Sequence, residues 1–178
     1  MKKLQTLLFG LCLLMPLAGS GAANRDPGEH FFDQTLGDFR EELENAREQG
    51  KSGVLIFFEQ EECPFCHRMK TTVLNRPEVQ DFYKKHFLIF PLDIEGDVEI
   101  VDFEGGTRTQ KDFAFREHRV RATPVLGFFD LNGKLVTRYT GATRDAEEFL
   151  WLGEYVVNGV YKDMTFARYK RQRAGKAQ

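Results

Sequence analysis

Apolar and polar positions in the first half of the chain predict a helix followed by a buried strand. From Asp38 to Gln49 apolar residues recur at helical spacing, and the opposite face carries charges of both signs. Asp38 is a favourable residue to cap this helix, and Gly50 is a favourable residue to end it. The next segment, 53–58, is a short continuous apolar run, which is typical of a central strand covered on both faces.

The same patterns predict the remaining elements. Helices are expected at 64–74, 77–86, 110–118 and 145–157, and strands at 87–94, 125–130 and 134–139. Asn132-Gly133 predicts a tight turn that makes the last two strands a hairpin. The charged, glycine-containing segment 96–109 is expected to be a loop with room for one short element. Together these elements predict a single α/β domain with a partly parallel sheet.

The first 23 residues have the three-part layout of a secretory signal peptide. A basic start at residues 1–3 precedes a mostly apolar stretch, 4–17, and a run of small residues, 18–23. The apolar stretch is shorter than the roughly 20 residues that a membrane-spanning helix needs. We therefore predict export to the periplasm with cleavage near Ala22 or Ala23, and an uncleaved anchor is the alternative.

The domain is predicted to span residues 38–161, and composition predicts the character of the segments on either side of it. Residues 24–37 are polar and contain glycine and proline, which predicts a loose N-terminal lead-in. Residues 162–178 form a basic C-terminal tail, which we interpret as a solvated terminus. The formal net charge is −2, so the composition indicates no nucleic-acid partner.

Removal of the signal peptide leaves two of the three cysteines, Cys63 and Cys66. A disulfide between residues this close in sequence closes too small a loop to stabilise the fold appreciably. An exported protein also meets conditions in which thiols are readily oxidised. The pair therefore indicates redox chemistry rather than structural cross-linking.

The position of the pair between a strand and a helix favours that chemistry. Cys63 is predicted to cap the helix, and Pro64 fits the first helical position, where its missing N–H has no cost. Cys66 lies one turn further on the same side, so the two sulfurs can form and break a disulfide with little movement. The unpaired N–H groups and the dipole of the helix N-terminus favour the thiolate at Cys63. Cys63 is thus expected to attack a substrate disulfide and Cys66 to resolve the mixed disulfide.

Neighbouring charges are candidates to tune the pKa of Cys63. Glu61 and Glu62 oppose the thiolate if they approach it, whereas a charged His67 favours it. The sequence leaves the balance between these effects open.

Two other kinds of site share this pattern. Cys63, Cys66 and His67 also match the attachment motif of a c-type haem, and the two cysteines with His67, His86 or His118 are a possible zinc site. The preceding strand and Pro64 favour the redox site over both. We therefore predict no metal and no cofactor other than the Cys63–Cys66 disulfide itself.

Three segments of the chain, Val54–Cys66, Thr123-Pro124 and Val125–Tyr139, resemble the thioredoxin-fold family. The family places a cis-proline opposite its cysteine pair, and Pro124 matches that proline. The resemblance implies a thioredoxin fold with a central mixed β-sheet flanked by helices. It also implies that a substrate segment pairs with the backbone of Thr123, beside a surface that includes Pro64 and Phe65.

Within this family the chain is most similar to the periplasmic SoxW-like thioredoxins of bacterial sulfur oxidation. The segments that carry this similarity are Phe57-Phe58-Glu59-Gln60, Arg68-Met69, Leu92-Asp93-Ile94 and Thr123-Pro124. It implies a periplasmic reductase that serves a partner protein. Because the dithiol must be regenerated after each reaction, we expect a membrane thiol donor, and we expect the protein to be a monomer. A disulfide oxidase or isomerase, a haem-binding electron carrier and a binding module with an idle disulfide are the alternatives.

The chain departs from the family in its acidic residues. Thioredoxins carry a buried acid six residues before the first cysteine, and this position is Phe57 here. Glu59 is the nearest candidate to assist proton transfer at Cys66. Glu62 stands directly before Cys63, where typical members have tryptophan, and Pro64-Phe65 replaces Gly-Pro.

Overall fold

The structure is a computed structural model that describes residues 23–176. The predicted signal peptide, 1–23, therefore lies outside the described residues except for Ala23. Within the described range no helix combines the length and the apolar character needed to cross a membrane.

Seven helices and six strands follow one another along the described residues. The helices are α1 (Pro27–His30), α2 (Phe39–Glu48), α3 (Pro64–Thr72), α4 (Pro77–His86), α5 (Gln110–Asp112), α6 (Ala146–Val157) and α7 (Phe166–Lys176). The strands are β1 (Gly53–Glu59), β2 (Phe87–Asp93), β3 (Glu99–Val101), β4 (Thr107–Thr109), β5 (Val125–Phe129) and β6 (Leu135–Thr140). A π-helical turn, Phe113–Glu117, continues α5, and a short 3₁₀ turn, Val160–Lys162, precedes α7.

The main sheet has the order β2-β1-β5-β6, and helices cover both of its faces. β1 runs parallel to β2 and antiparallel to β5, which pairs antiparallel with β6. The predicted single α/β domain with a mixed central sheet is therefore confirmed.

Two predictions about individual helices are also confirmed. The predicted helix at 77–86 has the bounds of α4. The Asp38 carboxylate caps α2, as predicted, by accepting hydrogen bonds from the N–H groups of Arg40 and Glu41.

β1 explains why the fold has a hydrophobic core on each face of the sheet. Leu55 and Phe57 project into one core, and Val54, Ile56 and Phe58 project into the other, and all of these side chains are buried. Burial of each large apolar side chain contributes about 1.5 to 3 kcal/mol to the stability of the fold. The first core also contains both cysteines. The continuous apolar run of the sequence is thus the central strand it was predicted to be.

The lead-in, 24–37, is not loose as predicted. It contains α1, and Phe31 and Phe32 after it are buried in the same core as the cysteines. The Asp33 carboxylate then accepts a hydrogen bond from the Ile89 N–H at 2.8 Å, which fixes the segment to β2. Two adjacent phenylalanines outweigh the polar composition of the segment because their burial removes a large apolar area from water.

The interpretation of the C-terminal tail as a solvated terminus is also wrong. α7 packs on α6, and Phe166 and Tyr169 contact Tyr155 through their rings. The Lys170 ammonium lies 2.8 Å from the carboxylate of Glu148, which is buried on α6. Two of the basic residues that made the tail look solvated, Lys170 and Arg173, are therefore ion-pair partners of acidic residues on α6.

The predicted loop at 96–109 folds into the β3–β4 hairpin, so the short element expected within it is present. The buried Asp102 organises its turn by accepting hydrogen bonds from the N–H groups of Glu104 and Gly106, each at 2.8 Å. The helix predicted at 110–118 is only α5 and the π-helical turn. This turn buries Phe113 and leaves Phe115 on the surface.

Candidate active site

The cysteine pair lies where β1 passes into α3. Cys63 is the N-cap of α3, and its Sγ accepts a hydrogen bond from the Cys66 N–H at 3.1 Å. Pro64 is the first residue of the helix, as the sequence predicted. The Cys63 sulfur therefore lies at the positive end of the helix dipole, where a thiolate is stabilised.

Cys63 and Cys66 are joined by a disulfide, with their Cα atoms 5.2 Å apart. Both cysteines are buried, whereas Phe65 between them is 61% exposed. Pro64 is exposed as well, so the predicted substrate-binding pair forms an apolar surface directly above the disulfide. An aromatic side chain left in water beside a reactive group is a favourable contact point for a partner protein.

Thr123 is hydrogen-bonded to the segment that carries the cysteines. Its hydroxyl donates to the side-chain Oε1 of Gln60 at 3.0 Å, and the Thr123–Pro124 peptide bond is cis. Gln60 follows β1 directly and stands three residues before Cys63. The contact of Gln60 could not be predicted from the sequence, because its partner lies 63 positions further along the chain.

The backbone around Thr123 has free hydrogen-bonding groups. Among residues 23–176, no hydrogen bond uses the N–H or C=O groups of Arg121, Ala122 or Thr123. Strand pairing of the loop with the rest of the sheet begins only at Val125. Backbone groups at a surface that lack partners in the protein are available to pair with an added extended segment.

Glu59 forms an ion pair on the side of α3 that carries Cys66. Its carboxylate lies 2.6 Å from the ammonium of Lys70, which stands one helical turn after Cys66. Glu59 and Lys70 also line an open cavity of about 550 Å³ together with Phe32 and Asp33. Lys70 was missed at the level of sequence, although its spacing of four residues from Cys66 places it on the same helix face.

The other predicted tuning residues are in solvent. Glu61, Glu62 and His67 are exposed, and within the described part of the chain none of them forms an ion pair. Charges in this environment act on a thiolate only through solvent, so their effect falls with ionic strength. Their role in tuning the pKa of Cys63 stays a prediction.

Arg68 connects the site to a third segment that sequence reasoning missed. Its guanidinium donates to the backbone carbonyls of Thr143 at 2.9 Å and Arg144 at 3.3 Å. This fixes the loop between β6 and α6 against α3 immediately after the second cysteine. Among the described residues 23–176, no three His, Cys, Asp or Glu side chains cluster in a way that could hold a metal ion.

Comparison with known families identifies the fold. The family described as the thioredoxin-like domain matches residues 39–157, which is most of the chain. This chain belongs to the thioredoxin-like family. The match covers β1, the cysteine pair and the Thr123-Pro124 loop, so the resemblance read from the sequence is confirmed at the level of the family. No curated protein matches the sequence of this thioredoxin-like protein.

Solved structures share the same fold. A thioredoxin from Thermus thermophilus is 28% identical, with a TM-score of 0.52, and the alignment covers 69% of this chain and 88% of that protein. A thioredoxin-fold protein from Helicobacter pylori is 21% identical with a TM-score of 0.58, over 71% of this chain and 86% of that one. The DsbH oxidoreductase is 19% identical with a TM-score of 0.55, and the alignment covers 82% of this chain and 92% of that protein.

Proposed function

We propose that this thioredoxin-like protein is a periplasmic thiol–disulfide oxidoreductase that reduces disulfides of a partner protein. The observation that carries the proposal is the position of Cys63, at the N-cap of α3 and in a disulfide with Cys66. The unpaired backbone of residues 121–123 supports it by offering an edge on which a partner segment can lie beside the cysteines.

The reaction is a two-step exchange that starts from the reduced dithiol. The Cys63 thiolate attacks one sulfur of the partner's disulfide, so that bond breaks, a bond between Cys63 and the partner forms, and the partner's second sulfur leaves as a thiolate and takes up a proton. The Cys66 thiolate then attacks the Cys63 sulfur, which restores the Cys63–Cys66 disulfide and releases the partner as a dithiol. Two electrons and two protons pass from the protein to the partner.

The second step requires Cys66 to lose its proton inside the core. Glu59 serves as the acceptor for this proton, because its carboxylate contacts Lys70, which stands one helical turn after Cys66 on α3. The open cavity that Glu59 and Lys70 line gives the proton a route from the Glu59 carboxylate to solvent. Glu59 thus takes the role that the acid at the position of Phe57 has in thioredoxins.

The cellular setting of the proposal follows from the N-terminus and from the subgroup resemblance. The signal-peptide layout of residues 1–23 supports export to the periplasm. The protein acts there as a monomer, draws electrons from a membrane thiol donor, and serves a partner of bacterial sulfur oxidation, as its resemblance to SoxW-like thioredoxins implies.

A trapping experiment tests the proposed chemistry. The variant Cys66→Ala lacks the resolving thiol, so it is expected to accumulate partners in mixed disulfides with Cys63 that are released by a reductant. Non-reducing gels of periplasmic extracts, followed by mass spectrometry, identify the trapped proteins. The matched control Cys63→Ser/Cys66→Ala is expected to trap none. Equal trapping by both variants would contradict the assignment of Cys63 as the nucleophile.

A disulfide oxidase is the second candidate, and the position of Cys63 is the observation that favours it. A thiolate strongly stabilised at a helix N-terminus makes the reduced form more stable and the disulfide more oxidising. The reduction potential of the Cys63–Cys66 couple separates the candidates. A value near about −270 mV supports the reductase, whereas a value near about −120 mV supports the oxidase.

A further inference from the structure

The loop that carries Thr123 starts from a residue in an uncommon backbone conformation. Arg119 has a φ of 52°, in the left-handed region that residues other than glycine seldom adopt, and no other non-glycine residue in the described range has a positive φ. Its N–H donates to the carbonyl of Phe115 at 3.1 Å, and the next N–H, that of Val120, donates to the carbonyl of Ala114 at 2.8 Å. An arginine remains in this conformation only where the contacts around it fix the backbone.

Arg138 of β6 supplies the first of these contacts. Its guanidinium donates one hydrogen bond to the carbonyl of His118 at 2.6 Å and another to the carbonyl of Arg119 at 3.2 Å. A guanidinium presents its N–H donors in a rigid planar arrangement, so a single side chain fixes two consecutive carbonyls, and hydrogen bonds from a charged donor are stronger than neutral ones. Arg138 therefore joins the start of the Thr123 loop to the edge strand of the main sheet.

Arg108 of β4 supplies the second contact. Its Nη1 lies 3.0 Å from a carboxylate oxygen of Glu117, and its Nη2 contacts the carboxylate of Asp102. Asp102 is 1% exposed, so its ion pair with Arg108 is only weakly screened by salt. The same carboxylate organises the turn of the β3–β4 hairpin, and a single arginine thus joins this hairpin to the start of the Thr123 loop.

The side chain of His118 fixes the same segment to the main sheet. Its ring packs against Phe58 of β1 and Phe129 of β5, with ring centres 6.1 Å and 5.1 Å away. Residues 117–119 are therefore attached to the centre of the sheet, to the β3–β4 hairpin and to the edge strand β6.

The three residues that follow Val120 depend on this attachment. Within the part of the chain that the structure describes, the backbone N–H and C=O groups of residues 121–123 make no hydrogen bonds, and strand pairing resumes only at Val125. A short stretch without backbone partners takes its position from the fixed points on either side of it. Residues 117–119 are the fixed point on one side, so a shift of this segment also moves Thr123.

We infer that Arg138 and Arg108 form an arginine clamp that holds the Thr123 loop in the position that the exchange reaction requires, and this inference rests on the proposed function. The clamp keeps the unpaired backbone of residues 121–123 ordered before a partner arrives, so less freedom is lost when the two polypeptides associate. Arg138 and Arg108 are positioning residues that act through the backbone of the loop and take no part in the sulfur chemistry. The β3–β4 hairpin serves the reaction by carrying Arg108 and its buried partner Asp102.

The test follows a single turnover of the reduced protein. Protein that has been reduced with dithiothreitol and separated from it is mixed with an excess of insulin, whose disulfides belong to a polypeptide, or of hydroxyethyl disulfide, which has no backbone to pair with the loop. Alkylation of the remaining thiols at successive times gives the rate at which Cys63 and Cys66 are oxidised. Measurements over a range of substrate concentrations give a second-order rate constant for each substrate.

Arg138→Met removes both hydrogen bonds to the loop. We expect it to lower the rate constant for insulin about tenfold and to leave that for hydroxyethyl disulfide within about twofold of wild type. A purely structural defect would slow both substrates by the same factor, because only the folded fraction reacts. Arg138→Lys keeps the charge but lacks the planar fork, and it is expected to recover the insulin rate constant to within about threefold of wild type.

Arg171→Met is the matched control, because it removes an exposed arginine from α7. Both rate constants are expected to stay at the wild-type values. A loss on insulin equal to that of Arg138→Met would show that the positive charge of the protein, and not the clamp, determines the rate.

Glu117→Ala tests the other half of the clamp. It removes the contact between Arg108 and the loop but keeps the ion pair of Arg108 with Asp102, so no buried charge is left without its partner. We expect about a threefold loss on insulin, again without a loss on hydroxyethyl disulfide.

Hydrogen exchange measured by nuclear magnetic resonance reports on the loop directly. In Arg138→Met and Glu117→Ala the Val120 amide is expected to exchange about tenfold faster than in wild type, whereas the amides of β1 keep their wild-type rates. A global loss of stability would instead accelerate the slowest amides of the whole domain.

The outcomes separate the clamp from the proposed function. Equal losses on both substrates in Arg138→Met, or no loss on insulin, would overturn the clamp, as would unchanged exchange at Val120 in both variants. If the reduced wild-type protein loses thiols to insulin no faster than Cys63→Ser does, the proposed function is wrong, and hydrogen exchange then decides separately whether the clamp holds the loop.

Discussion

The hydrogen bond between Gln60 and Thr123 connects the segment that precedes the disulfide to the loop that carries the cis-proline. Gln60 belongs to the segment that enters the cysteine pair, and Thr123 belongs to the loop on which a substrate would lie. The 3.0 Å contact fixes the side chains of these two residues relative to one another. A reaction between two polypeptides depends on such positioning, because a small displacement of the attacking atom lowers the rate strongly.

Replacement of Gln60 tests this positioning role. Gln60→Leu keeps the size of the side chain but removes the acceptor of the Thr123 hydroxyl, and we expect about a tenfold loss in kcat/KM for a protein disulfide with about 1 kcal/mol of destabilisation. Thr123→Val removes the donor, and the double variant is expected to be little worse than either single one. Fully additive losses in kcat/KM would show that the hydrogen bond does not couple the two loops.

The candidate-site residues that could be predicted from the sequence are those proposed to act through their own chemistry, whereas residues that form contacts between distant segments were missed. Cys63, Cys66 and Pro64 were predicted from local helix geometry, and Pro124 from the family resemblance. Lys70 and Arg68 were missed because a basic residue on a helix has many possible partners until the fold places Glu59 and the Thr143 carbonyl beside it. Ion pairs and hydrogen bonds between distant segments have no local sequence signature.

Among the elements, α7 shows how charge patterns can mislead. Its basic residues suggested a solvated tail, but Phe166 and Tyr169 lie three residues apart on the face that packs against α6. The buried carboxylate of Glu148 on α6 accepts a hydrogen bond from Lys170 of α7, and it accepts a second from the Tyr139 hydroxyl at 3.1 Å. Burial and this contact with Glu148 raise the pKa of Tyr139 to about 12. The sequence predicts that Glu148 lies on the last helix of the domain, but it does not indicate that this residue is buried and pairs with Lys170.

Loss of the ion pair between α7 and α6 is expected to destabilise the domain. Lys170→Met leaves the Glu148 carboxylate buried with only the Tyr139 hydroxyl as a side-chain partner, and we expect a decrease of about 2 kcal/mol in the free energy of unfolding, because Lys170 itself is partly exposed. Urea unfolding followed by circular dichroism measures the change.

Arg168→Met is the matched control, because Arg168 is an exposed basic residue of the same helix outside these ion pairs. Its free energy of unfolding is expected to stay within about 0.5 kcal/mol of wild type. An equal loss in both variants would show that α7 is stabilised by its total charge and not by the buried pair.

At the scale of the whole molecule, the second core carries a titratable group that makes stability depend on pH. His118 packs against the rings of Phe58, Phe113 and Phe129. Burial, and then the positive charges of the nearby arginines, lower the pKa of His118 to about 4. The folded protein therefore holds this histidine neutral across the range in which the unfolded chain protonates it.

The sign of the pH dependence follows from the lowered pKa of His118. Between pH values of about 6.5 and 4 the unfolded chain binds the proton more readily, so the free energy of unfolding falls as the pH falls through this range. The contribution of His118 is on the order of 2 to 3 kcal/mol at most. His118→Phe is expected to remove this pH-dependent loss of stability. The urea midpoint of the variant should therefore change less between pH 7 and pH 4.5 than that of the wild-type protein. An unchanged shift would assign the pH dependence to carboxylates elsewhere.

The attachment of the lead-in to the domain determines how this protein can be joined to anything else. The Arg25 N–H donates to the Asn75 carbonyl at 2.9 Å, and its guanidinium lies 2.7 Å from the Asp81 carboxylate. Any polypeptide joined directly before Arg25 therefore starts from a point that is held against α4. A membrane anchor or a fusion partner joined directly at Arg25 would hold the domain close and in a restricted orientation, and a flexible spacer at this junction would extend the reach of the cysteine pair.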